Sequence, residues 1–339
     1  MLEPPVKPML AKSHDSLPSG HWYEPKWDGF RALIFRTADG VEIGSRTSKL
    51  LTRYFPEIVD AAHVLPTGCV LDGEIVMPVG DRLEFEVLGQ RIHPAESRIT
   101  RLASEFPARF VGFDLLASDG LDRLEETFAD RRARLVELMP ETDRLTCTPL
   151  TTDRDQAQQW FDSWESAGID GIVAKHPELT YQPGKRVMIK VKHKRTADVV
   201  LAGFRVHKNA DDQVGSLLLG LHDDDGQLHQ VGVSSSFTEA RRRELFTELA
   251  PLRIDFEDHP WTQNPERNRW NQAKDLSFQP LAPEVVLEVQ YDFPEGRRFR
   301  HTTKFLRWRP DREPESCLLS QLDVDQGPGL GAVWAGKVS

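Results

Sequence analysis

A lysine, an aspartate, a glycine and an arginine stand close together in the segment 24–31 (EPKWDGFR). A lysine amine attacks phosphorus when it is neutral, and desolvation or nearby positive charge favours the neutral form. Glycine allows a backbone to approach a ligand closely, and arginine suits phosphate oxygens. The same residues would also fit an ordinary junction between a strand and a turn. Their types and spacing favour nucleophilic attack on a phosphate, with Lys26 as the nucleophile.

Four further segments follow in order along the chain: 71–76 (LDGEIV), 113–116 (FDLL), 170–175 (DGIVAK) and 189–192 (IKVK). Together with 24–31 they resemble the ordered motifs of the covalent nucleotidyltransferases. This superfamily comprises ATP-dependent DNA ligases, RNA ligases and mRNA capping enzymes. Several independent motifs in one order are far more specific than any single motif. The resemblance extends from Glu24 to Arg312 and so covers most of the chain.

Within that superfamily, 85–91 (FEVLGQR) and 300–309 (RHTTKFLRWR) are most similar to bacterial ATP-dependent DNA ligases of the repair type. Ligase C and the ligase module of ligase D are the nearest comparisons. The resemblance implies an α+β fold, with a nucleotidyltransferase (adenylation) domain followed by an OB-fold β-barrel domain. We expect the adenylation domain at 1–194, the barrel at 195–325 and a flexible tail at 326–339. The implied activity is the sealing of nicks in duplex DNA with ATP and Mg²⁺, or Mn²⁺ in its place, in DNA repair.

The resemblance also assigns roles, beginning with Lys26 as the residue that becomes adenylylated. The other assignments are Glu24 near the adenine, Phe113 stacked on it, Arg31 and Arg46 near ribose or phosphate, Glu74 at the ribose and the metal, Asp170 at the metal, and Arg186, Lys190 and Lys192 on the phosphates. Arg309 and Arg312 would orient the pyrophosphate leaving group. Each assignment competes with a simpler interpretation, such as a surface charge or a core aromatic.

Two positions depart from the family pattern. Asp170 stands where the family usually has glutamate, so its carboxylate is one methylene shorter and would reach a metal through a water. The last motif usually reads Arg-x-Asp-Lys, whereas this chain ends it with Arg312. Arginine keeps the charge but does not reproduce the geometry of lysine. A charged barrel rim remains the alternative for this segment.

Two other classes of function share these residues. A capping-type guanylyltransferase or an RNA ligase would use the same Lys26 chemistry on an RNA end, and the capping enzyme would take GTP. A catalytically inactive nick-binding module would keep the fold without the reaction. The intact pair of Lys26 and Glu74 favours an active enzyme.

Composition bounds the class of protein without identifying it. The chain has 339 residues, 28% of them charged and 39% hydrophobic, which is typical of globular proteins with room for two domains. The N-terminus lacks the features of a signal peptide, and no apolar run reaches membrane-spanning length. Three scattered cysteines offer neither a disulfide framework nor a CxxC pair. We expect a monomeric bacterial protein of the reducing cytoplasm, associated with the nucleoid and with DNA-repair proteins during repair, and no membrane contact.

The elements that must position these residues can be read from hydrophobic periodicity. Strands are predicted at 32–35, 41–44, 69–77, 110–116, 171–174 and 188–192, and in the second part at 199–206, 216–222, 228–234, 285–292 and 298–308. Helices are predicted at 153–167, with a capping box from Thr152 to Asp155, and at 123–138 and 238–250. About five strands and a helix suit a small closed barrel. The piece 259–270, rich in proline and asparagine, is predicted as an inserted loop.

The net charge of −10 argues against nonspecific coating of nucleic acid, but it allows a local basic track. Arg241, Arg242 and Arg243 form one cluster, for which a solvated helix face is an equally good interpretation. Lysines at 190, 192 and 194 alternate with other residues, so a strand there would present all three cations on one face.

Overall fold

The computed structural model describes residues 2–261, 277–323 and 327–338, and its chain divides into two units. Unit 1 contains the residues up to Lys192 together with the C-terminal segment, and unit 2 is His193–Asp323. The division after Lys192 falls two residues before the expected boundary at 194. The chain therefore leaves unit 1 after Lys192 and returns to it beyond Asp323.

Two β-sheets form the frame of unit 1. The strands of this unit are β1 (Leu10–Ser13), β2 (Trp22–Pro25), β3 (Phe30–Thr37), β4 (Gly40–Ser45), β5 (Cys69–Val76), β6 (Pro78–Val79), β7 (Arg82–Leu83), β8 (Arg109–Ser118), β9 (Leu121–Asp122), β10 (Leu145–Cys147), β11 (Ile172–Lys175) and β12 (Arg186–Val191). One sheet has the order β1-β12-β11-β2, and the other has the order β10-β8-β5-β3-β4 with β9 paired to β8. Strands β6 and β7 pair separately. Both orders differ from the chain order, so distant segments become neighbours.

The central strands of the larger sheet are covered on both faces. In β3, Ala32 and Ile34 lie in one buried apolar cluster, while Leu33 and Phe35 lie in another. Successive side chains of a strand point to opposite faces, so this alternation means that each face of β3 has its own core. Strands β5 and β8 are buried along nearly their whole length, which explains their almost continuous apolar sequences.

Helices pack beside these sheets between the strands. Those of unit 1 before residue 192 are α1 (Pro56–Ala62), α2 (Phe85–Gly89), α3 (Glu96–Glu105), α4 (Phe128–Leu138) and α5 (Arg154–Ser163). Helix α5 continues as the 3₁₀ turn Trp164–Ala167 and ends at Gly168 with φ 86°, as predicted. Its N-cap is Asp153, whose carboxylate accepts a hydrogen bond from the backbone N–H of Asp155. The predicted capping box at Thr152 is therefore wrong by one residue.

Helix α4 begins later than predicted, at Phe128 rather than at Arg123. The reason is Thr127, whose hydroxyl caps the helix by accepting from the backbone N–H three residues ahead. Helices α1 and α3 have weaker sequence signals, because α1 has seven residues and only Ile99 and Leu102 of α3 are buried. Among the described residues, no helix combines the length and apolar character that crossing a membrane requires.

Unit 2 is a small β-barrel. Its elements are β13 (Arg195–His207), β14 (Ala210–His222), β15 (Leu228–Ser234), α6 (Glu239–Glu248), β16 (Gln279–Tyr291), β17 (Pro294–Glu295), β18 (Arg298–Phe299) and β19 (Lys304–Trp308). The main sheet has the order β15-β14-β13-β16-β19, and its two outer strands meet where Ser234 forms a parallel bridge to Thr303. The predicted strand 298–308 is divided between β18 and β19. This closed five-stranded sheet has the architecture predicted for the second domain.

The predicted inserted loop at 259–270 lies outside the described residues from 262 onward. Its first residues are anchored in the barrel. His259 is buried and its Nε2 donates to the carbonyl of Ala202 at 2.7 Å, while the indole N–H of Trp261 donates to the carbonyl of Leu228 at 2.7 Å. Burial lowers the pKa of the His259 imidazole, consistent with a neutral ring that donates through Nε2.

The predicted flexible tail is wrong for its described part, residues 327–338. This segment forms helix α7 (Leu330–Trp334), and both Leu330 and Val333 are buried in a core cluster of unit 1. The indole N–H of Trp164 donates to the carbonyl of Lys337 at 3.0 Å. The apolar side chains of the segment are too few for a clear periodicity, but they meet an apolar surface that distant residues of unit 1 provide.

Closure of the barrel gives a stability prediction. Ser234 is fully buried, and its hydroxyl donates to the carbonyl of Thr303 and accepts from the N–H of Phe305, each at 3.1 Å. Ser234→Ala should lower the free energy of unfolding by about 1–3 kcal/mol, because two buried backbone groups lose their partner. Chemical denaturation measures the change, with the exposed Ser236→Ala as the matched control. Equal stability of the two variants would contradict this account of closure.

Candidate active site

A pocket of about 500 Å³ opens in unit 1, within the size range of small-molecule sites. Strands of both sheets contribute to its walls. Eight of the predicted site residues line it: Glu24, Lys26, Arg31, Arg46, Glu74, Phe113, Arg186 and Lys190. Of the others, Asp170 and Lys192 are joined to Lys26 through ion pairs, and Arg309 and Arg312 belong to unit 2.

Strand pairing places Lys26 next to two distant segments. In the sheet, Ile172 of β11 pairs with Pro25 of β2 on one side and with Val191 of β12 on the other. One residue beyond each pairing lie Lys26 and Lys192, with Asp170 just before β11. Two backbone hydrogen bonds strengthen this junction, because the N–H of Lys26 donates to the carbonyl of residue 171 and the N–H of Asp170 donates to the carbonyl of Lys26.

Two glycines permit this close packing. A Cβ on Gly29 would lie 2.1 Å from the carbonyl oxygen of Ile75, so only glycine fits three residues after the lysine. Gly171 has φ 132°, and a Cβ there would lie 2.1 Å from the carbonyl oxygen of Val191. Gly29 and Gly171 are therefore required by backbone contacts within unit 1.

Asp170 shares one carboxylate oxygen between two ammonium groups. Its Oδ2 lies 2.5 Å from Nζ of Lys26 and 3.0 Å from Nζ of Lys192. Burial of Asp170 opposes ionisation, but the attraction of Lys26 and then of Lys192 outweighs it and lowers the pKa of the carboxyl group. Burial and the charges of the same two lysines lower the pKa of Lys190. The site thus holds three ammonium groups around one carboxylate.

Glu74 differs from Asp170, because the pKa of its carboxyl group is raised rather than lowered. Burial raises its pKa to about 7, and the positive charges of Arg31 and Lys26 reduce this effect only in part. Within the described residues its side chain makes no ion pair or hydrogen bond, although it lines the pocket. Glu74 is therefore a half-buried acceptor at the pocket wall that a cation or a hydroxyl donor would stabilise.

Arg31 is fixed in position at the wall of the pocket. Its Nε and Nη2 each donate to one oxygen of Asp72 at 2.6 Å, and the hydroxyl of Tyr181 donates to the same carboxylate at 2.6 Å. Burial opposes the charge of Arg31, but the ion pair with Asp72 outweighs it and raises the pKa of the guanidinium. The guanidinium carbon lies 4.4 Å from the ring centroid of Phe113.

Glu24 forms a buried ion pair with Lys175, at 2.7 Å between Oε2 and Nζ. Burial raises the pKa of Glu24, and the charges of Lys175 and Arg132 oppose this rise. Lys175 also donates to the carbonyl of Phe113 at 3.0 Å, and its Nζ lies 4.8 Å from the centroid of that ring. This lysine fixes both of the residues that were assigned to the base.

Arg46 and Arg186 are exposed residues that line the pocket, and Lys190 is half-buried on the same wall. Strand β12 ends at Val191, so the predicted strand with three aligned lysines is wrong from residue 192 onward. The cation at 192 reaches the site because it follows the end of the strand and turns toward Asp170.

The arginines of the last motif lie in unit 2 and share a carboxylate. Arg309 Nη1 donates to both oxygens of Asp198 at 2.9 and 3.0 Å, and Arg312 Nε lies 3.4 Å from the same group. Arg309 also forms two hydrogen bonds with Asp311 at 2.9 and 2.8 Å. The motif is therefore a preassembled cluster on the barrel.

The arginine cluster of helix α6 is occupied by local partners. Arg241 pairs with Glu244 and Glu248, and Arg243 pairs with Glu239. Arg242 donates to three backbone carbonyls of the barrel, at positions 214, 215 and 235. These contacts favour the interpretation as a solvated helix face rather than a basic track.

Three residues with clear structural roles at the site were not among the predicted ones: Lys175, Asp72 and Tyr181. Lys175 closes the 170–175 motif, and Asp72 lies two residues before Glu74, so both have a signal in the sequence. The sequence does not indicate that Lys175 pairs with Glu24 or that Asp72 pairs with Arg31, because each pair joins residues of different strands. Tyr181 has no motif around it and can be recognised only from the fold.

Comparisons with known proteins agree with this geometry. Residues 8–192 match the family described as ATP dependent DNA ligase domain, and residues 210–312 match ATP dependent DNA ligase C terminal region. The chain is 53% identical over 337 residues to DNA ligase C of Mycobacterium tuberculosis, with 94% of each chain covered. It is 32% identical over 324 residues to the multifunctional non-homologous end joining DNA repair protein LigD of the same species, covering 92% of this chain and 40% of LigD.

One solved structure supports the fold. It is described as "DNA binding with a minimal scaffold: Structure-function analysis of Lig E DNA ligases", and it aligns with a TM-score of 0.58 at 19% identity over 89% of this chain and 99% of that one. The predicted fold class, an adenylation domain followed by an OB-fold domain, is confirmed. The match at 8–192 spans more than half of the 339 residues. With its ordered motifs gathered in one pocket and a relative identical at more than half of the aligned positions, the chain belongs to the ATP-dependent DNA ligases.

Proposed function

We propose that this ligase seals nicks in duplex DNA through an intermediate in which AMP is attached to Lys26. Nζ of Lys26 attacks the α-phosphorus of ATP, the bond to pyrophosphate breaks, and the amine loses a proton. AMP then moves to the 5′-phosphate at the nick, and the 3′-hydroxyl attacks that phosphate and releases AMP. The observation that carries the proposal is the ion pair of Lys26 with Asp170 at the wall of a cation-lined pocket.

The shared carboxylate explains how the nucleophile is held and released. In its ion pair with Asp170, Lys26 is an ammonium group and has no free electron pair for attack. Lys192 contacts the same oxygen, so Asp170 keeps a partner when Lys26 turns to the phosphate. Lys190 and Arg186 line the same pocket and would bind the phosphates of ATP. These cations would also stabilise charge on the transferred phosphate.

The base and ribose assignments rest on the two buried ion pairs. Lys175 holds Glu24 and the strand of Phe113, which would stack on the adenine. Asp72 holds Arg31 beneath the ribose or phosphate. Because both anchors are buried, the contacts to the nucleotide would be ordered before binding, which reduces the entropic cost of positioning it.

Mg²⁺ fits Glu74 better than it fits Asp170. Glu74 lacks an ion pair within the described residues, and its ionised form would gain from a divalent cation, whereas Asp170 is already shared by two ammonium groups. The described residues contain no group of three acidic, histidine or cysteine side chains that would hold a metal alone. Phosphate oxygens and waters would supply the other ligands, as is common for Mg²⁺, and Mn²⁺ would use the same set. When bound, the metal would neutralise phosphate charge.

We assign Arg309 and Arg312 to the pyrophosphate leaving group. The hydrogen bonds to Asp198 and Asp311 fix the orientation of the Arg309 guanidinium on the barrel. A fixed guanidinium binds phosphate oxygens with less loss of side-chain entropy than a free one. Arg46, which is exposed at the pocket of unit 1, is assigned to the ribose or phosphate.

The proposed role is DNA repair, with nicked duplex DNA as the partner of a monomeric enzyme in the bacterial cytoplasm. The likeness to a protein named for end joining and DNA repair supports this role. Repair proteins are the proposed protein partners. Sealing assays on DNA/DNA, DNA/RNA and RNA/RNA nicks would test the substrate, and preference for an RNA end would contradict it.

The nucleophile can be tested directly. Lys26→Arg should abolish the AMP adduct while nick binding persists, because a guanidinium stays protonated and cannot attack. Intact-protein mass spectrometry after incubation with Mg²⁺ and either ATP or GTP measures the adduct. Lys12→Arg, an exposed lysine of β1 that does not line the pocket, is the matched control and should load AMP normally. In the wild-type protein, an adduct with GTP only would favour a capping-type enzyme, and nick binding without an adduct from either nucleotide would favour an inactive module.

Glu74 gives a prediction with a pH dependence. Its folded-state pKa is raised to about 7, so its protonated form stabilises the fold below the unfolded pKa, and this contribution is lost as the pH rises through 7. Glu74→Gln should therefore increase the free energy of unfolding by about 1–3 kcal/mol at pH 8 and change it little at pH 4. Denaturation at both pH values measures this difference, and the exposed Glu86→Gln is the control. The assignment fails if the effect of Glu74→Gln is the same at both pH values.

Substitution of Arg309 and Arg312 should affect AMP loading but not the later sealing step. Arg309→Ala combined with Arg312→Ala should load AMP at least about tenfold more slowly, because pyrophosphate leaves only in that step and such contacts act where they form. The same protein should still seal a nick that already carries AMP on its 5′-phosphate. Arg307→Ala removes an exposed arginine paired with Glu288 and serves as the control. Loss of both activities would instead assign the pair to DNA binding or barrel stability.

A further inference from the structure

The C-terminal segment contacts the residue that follows the nucleophile. The indole of Trp334, the last residue of α7, stacks on the indole of Trp27 with ring centroids 4.6 Å apart and an angle of 16° between the planes. Trp27 is 4% exposed, and it also lines the pocket. A segment more than three hundred residues away in sequence therefore packs against the neighbour of Lys26.

Trp27 is held on a second side by a hydrogen bond. Its indole N–H donates to the hydroxyl of Thr148 at 2.8 Å. The backbone of Lys26, one residue earlier, is tied to residues 170 and 171 by two hydrogen bonds. Since the two residues share a peptide unit, loss of the packing that holds the Trp27 indole would let the backbone of residue 27 move, and the Cα of Lys26 would shift with it.

Several contacts keep Trp334 in place, so the stack is part of an ordered element. The guanidinium carbon of Arg109 lies 4.4 Å from the centroid of its ring. The N–H of Leu330 donates to the carbonyl of Asp81 at 2.7 Å, and Val333 is fully buried. A large aromatic ring with a cation on it and a buried helix turn beside it has few alternative positions.

We propose that Trp334 is a positioning residue for AMP loading: by fixing the Trp27 indole it sets the position from which Lys26 reaches the α-phosphate. The inference rests on the proposed function of Lys26. It assigns the C-terminal segment a role in the first step, whereas the later sealing of an adenylylated nick does not use the amine of Lys26 as a nucleophile. The segment thus acts on one step of the reaction and not on the whole.

The test compares the steps in variants of the full-length chain. Trp334→Ala should reduce the single-turnover rate of AMP loading at saturating ATP by about tenfold to a hundredfold, with little change in the ATP concentration at half-maximal rate, because a displacement near 1 Å costs up to about a hundredfold. The rate of sealing a preadenylated nick should stay within about twofold of the wild-type rate, which is a change in barrier well below 1 kcal/mol. Trp334→Phe should restore most of the loading rate, because it keeps a ring on Trp27.

Val333→Ala is the matched control. It removes packing from the same helix but leaves the stack, so it should lower the melting temperature without slowing AMP loading. Combining Trp334→Ala with Trp27→Leu should give little further loss of loading, because residues that act through one contact are not additive.

Three results would overturn the proposal. Trp334→Ala would load AMP like the wild-type protein, or loading and preadenylated sealing would fall together, or Val333→Ala would slow loading as much as Trp334→Ala. The second and third would show that the segment only stabilises unit 1. If the wild-type protein itself forms no AMP adduct, the proposed function fails and this inference fails with it. If the wild-type protein loads AMP and one of the three results above is observed, only this inference fails.

Discussion

The sharing of one carboxylate oxygen of Asp170 between Lys26 and Lys192 is the interaction on which the rest of the site depends. Two ammonium groups this close would repel each other without the anion between them. The three residues come from three segments, which strand β11 joins by pairing with β2 on one side and β12 on the other. The close backbone approach at Gly171 makes that junction possible. The fold of unit 1 therefore places the amine of Lys26 and sets the charge around it.

Buried charge in unit 1 is organised in pairs around the pocket. Glu24 pairs with Lys175, Arg31 pairs with Asp72, and Arg131 forms two hydrogen bonds with Asp114 at 2.8 and 3.0 Å. Such pairs add little net stability compared with apolar packing, because desolvation offsets most of the attraction. They do fix the orientation of each side chain. Glu74 differs, since it lacks an ion-pair partner within the described residues. Its raised pKa means that its ionised form is unfavourable in the folded protein, and a bound cation would stabilise that form.

A large part of the architecture could be predicted from the sequence because its signals are local. The apolar runs of β3, β5 and β8 and the helix that ends at Gly168 agree with the prediction. The errors fall where a tertiary contact decides the outcome. Strand β12 ends at Val191, and residues 327–338 pack on unit 1 although their sequence resembles a tail. Hydrophobic periodicity carries no information about an apolar surface that is built from distant strands.

The sequence by itself determined the chemistry: a lysine with aspartate, glycine and arginine at set spacings, four more motifs in order, and through them the family of the chain. These features can be recognised in the sequence because each motif is a short continuous segment, within one strand and its adjoining turn or, for 24–31, at the junction of two consecutive strands. Only the tertiary structure decided which charges meet. It paired Asp170 with Lys26, buried Lys175 against Glu24, and brought Trp334 onto Trp27. Each of these contacts joins residues more than a hundred positions apart. The order of strands in the sheets determines the first two, and the packing of helix α7 on unit 1 determines the third.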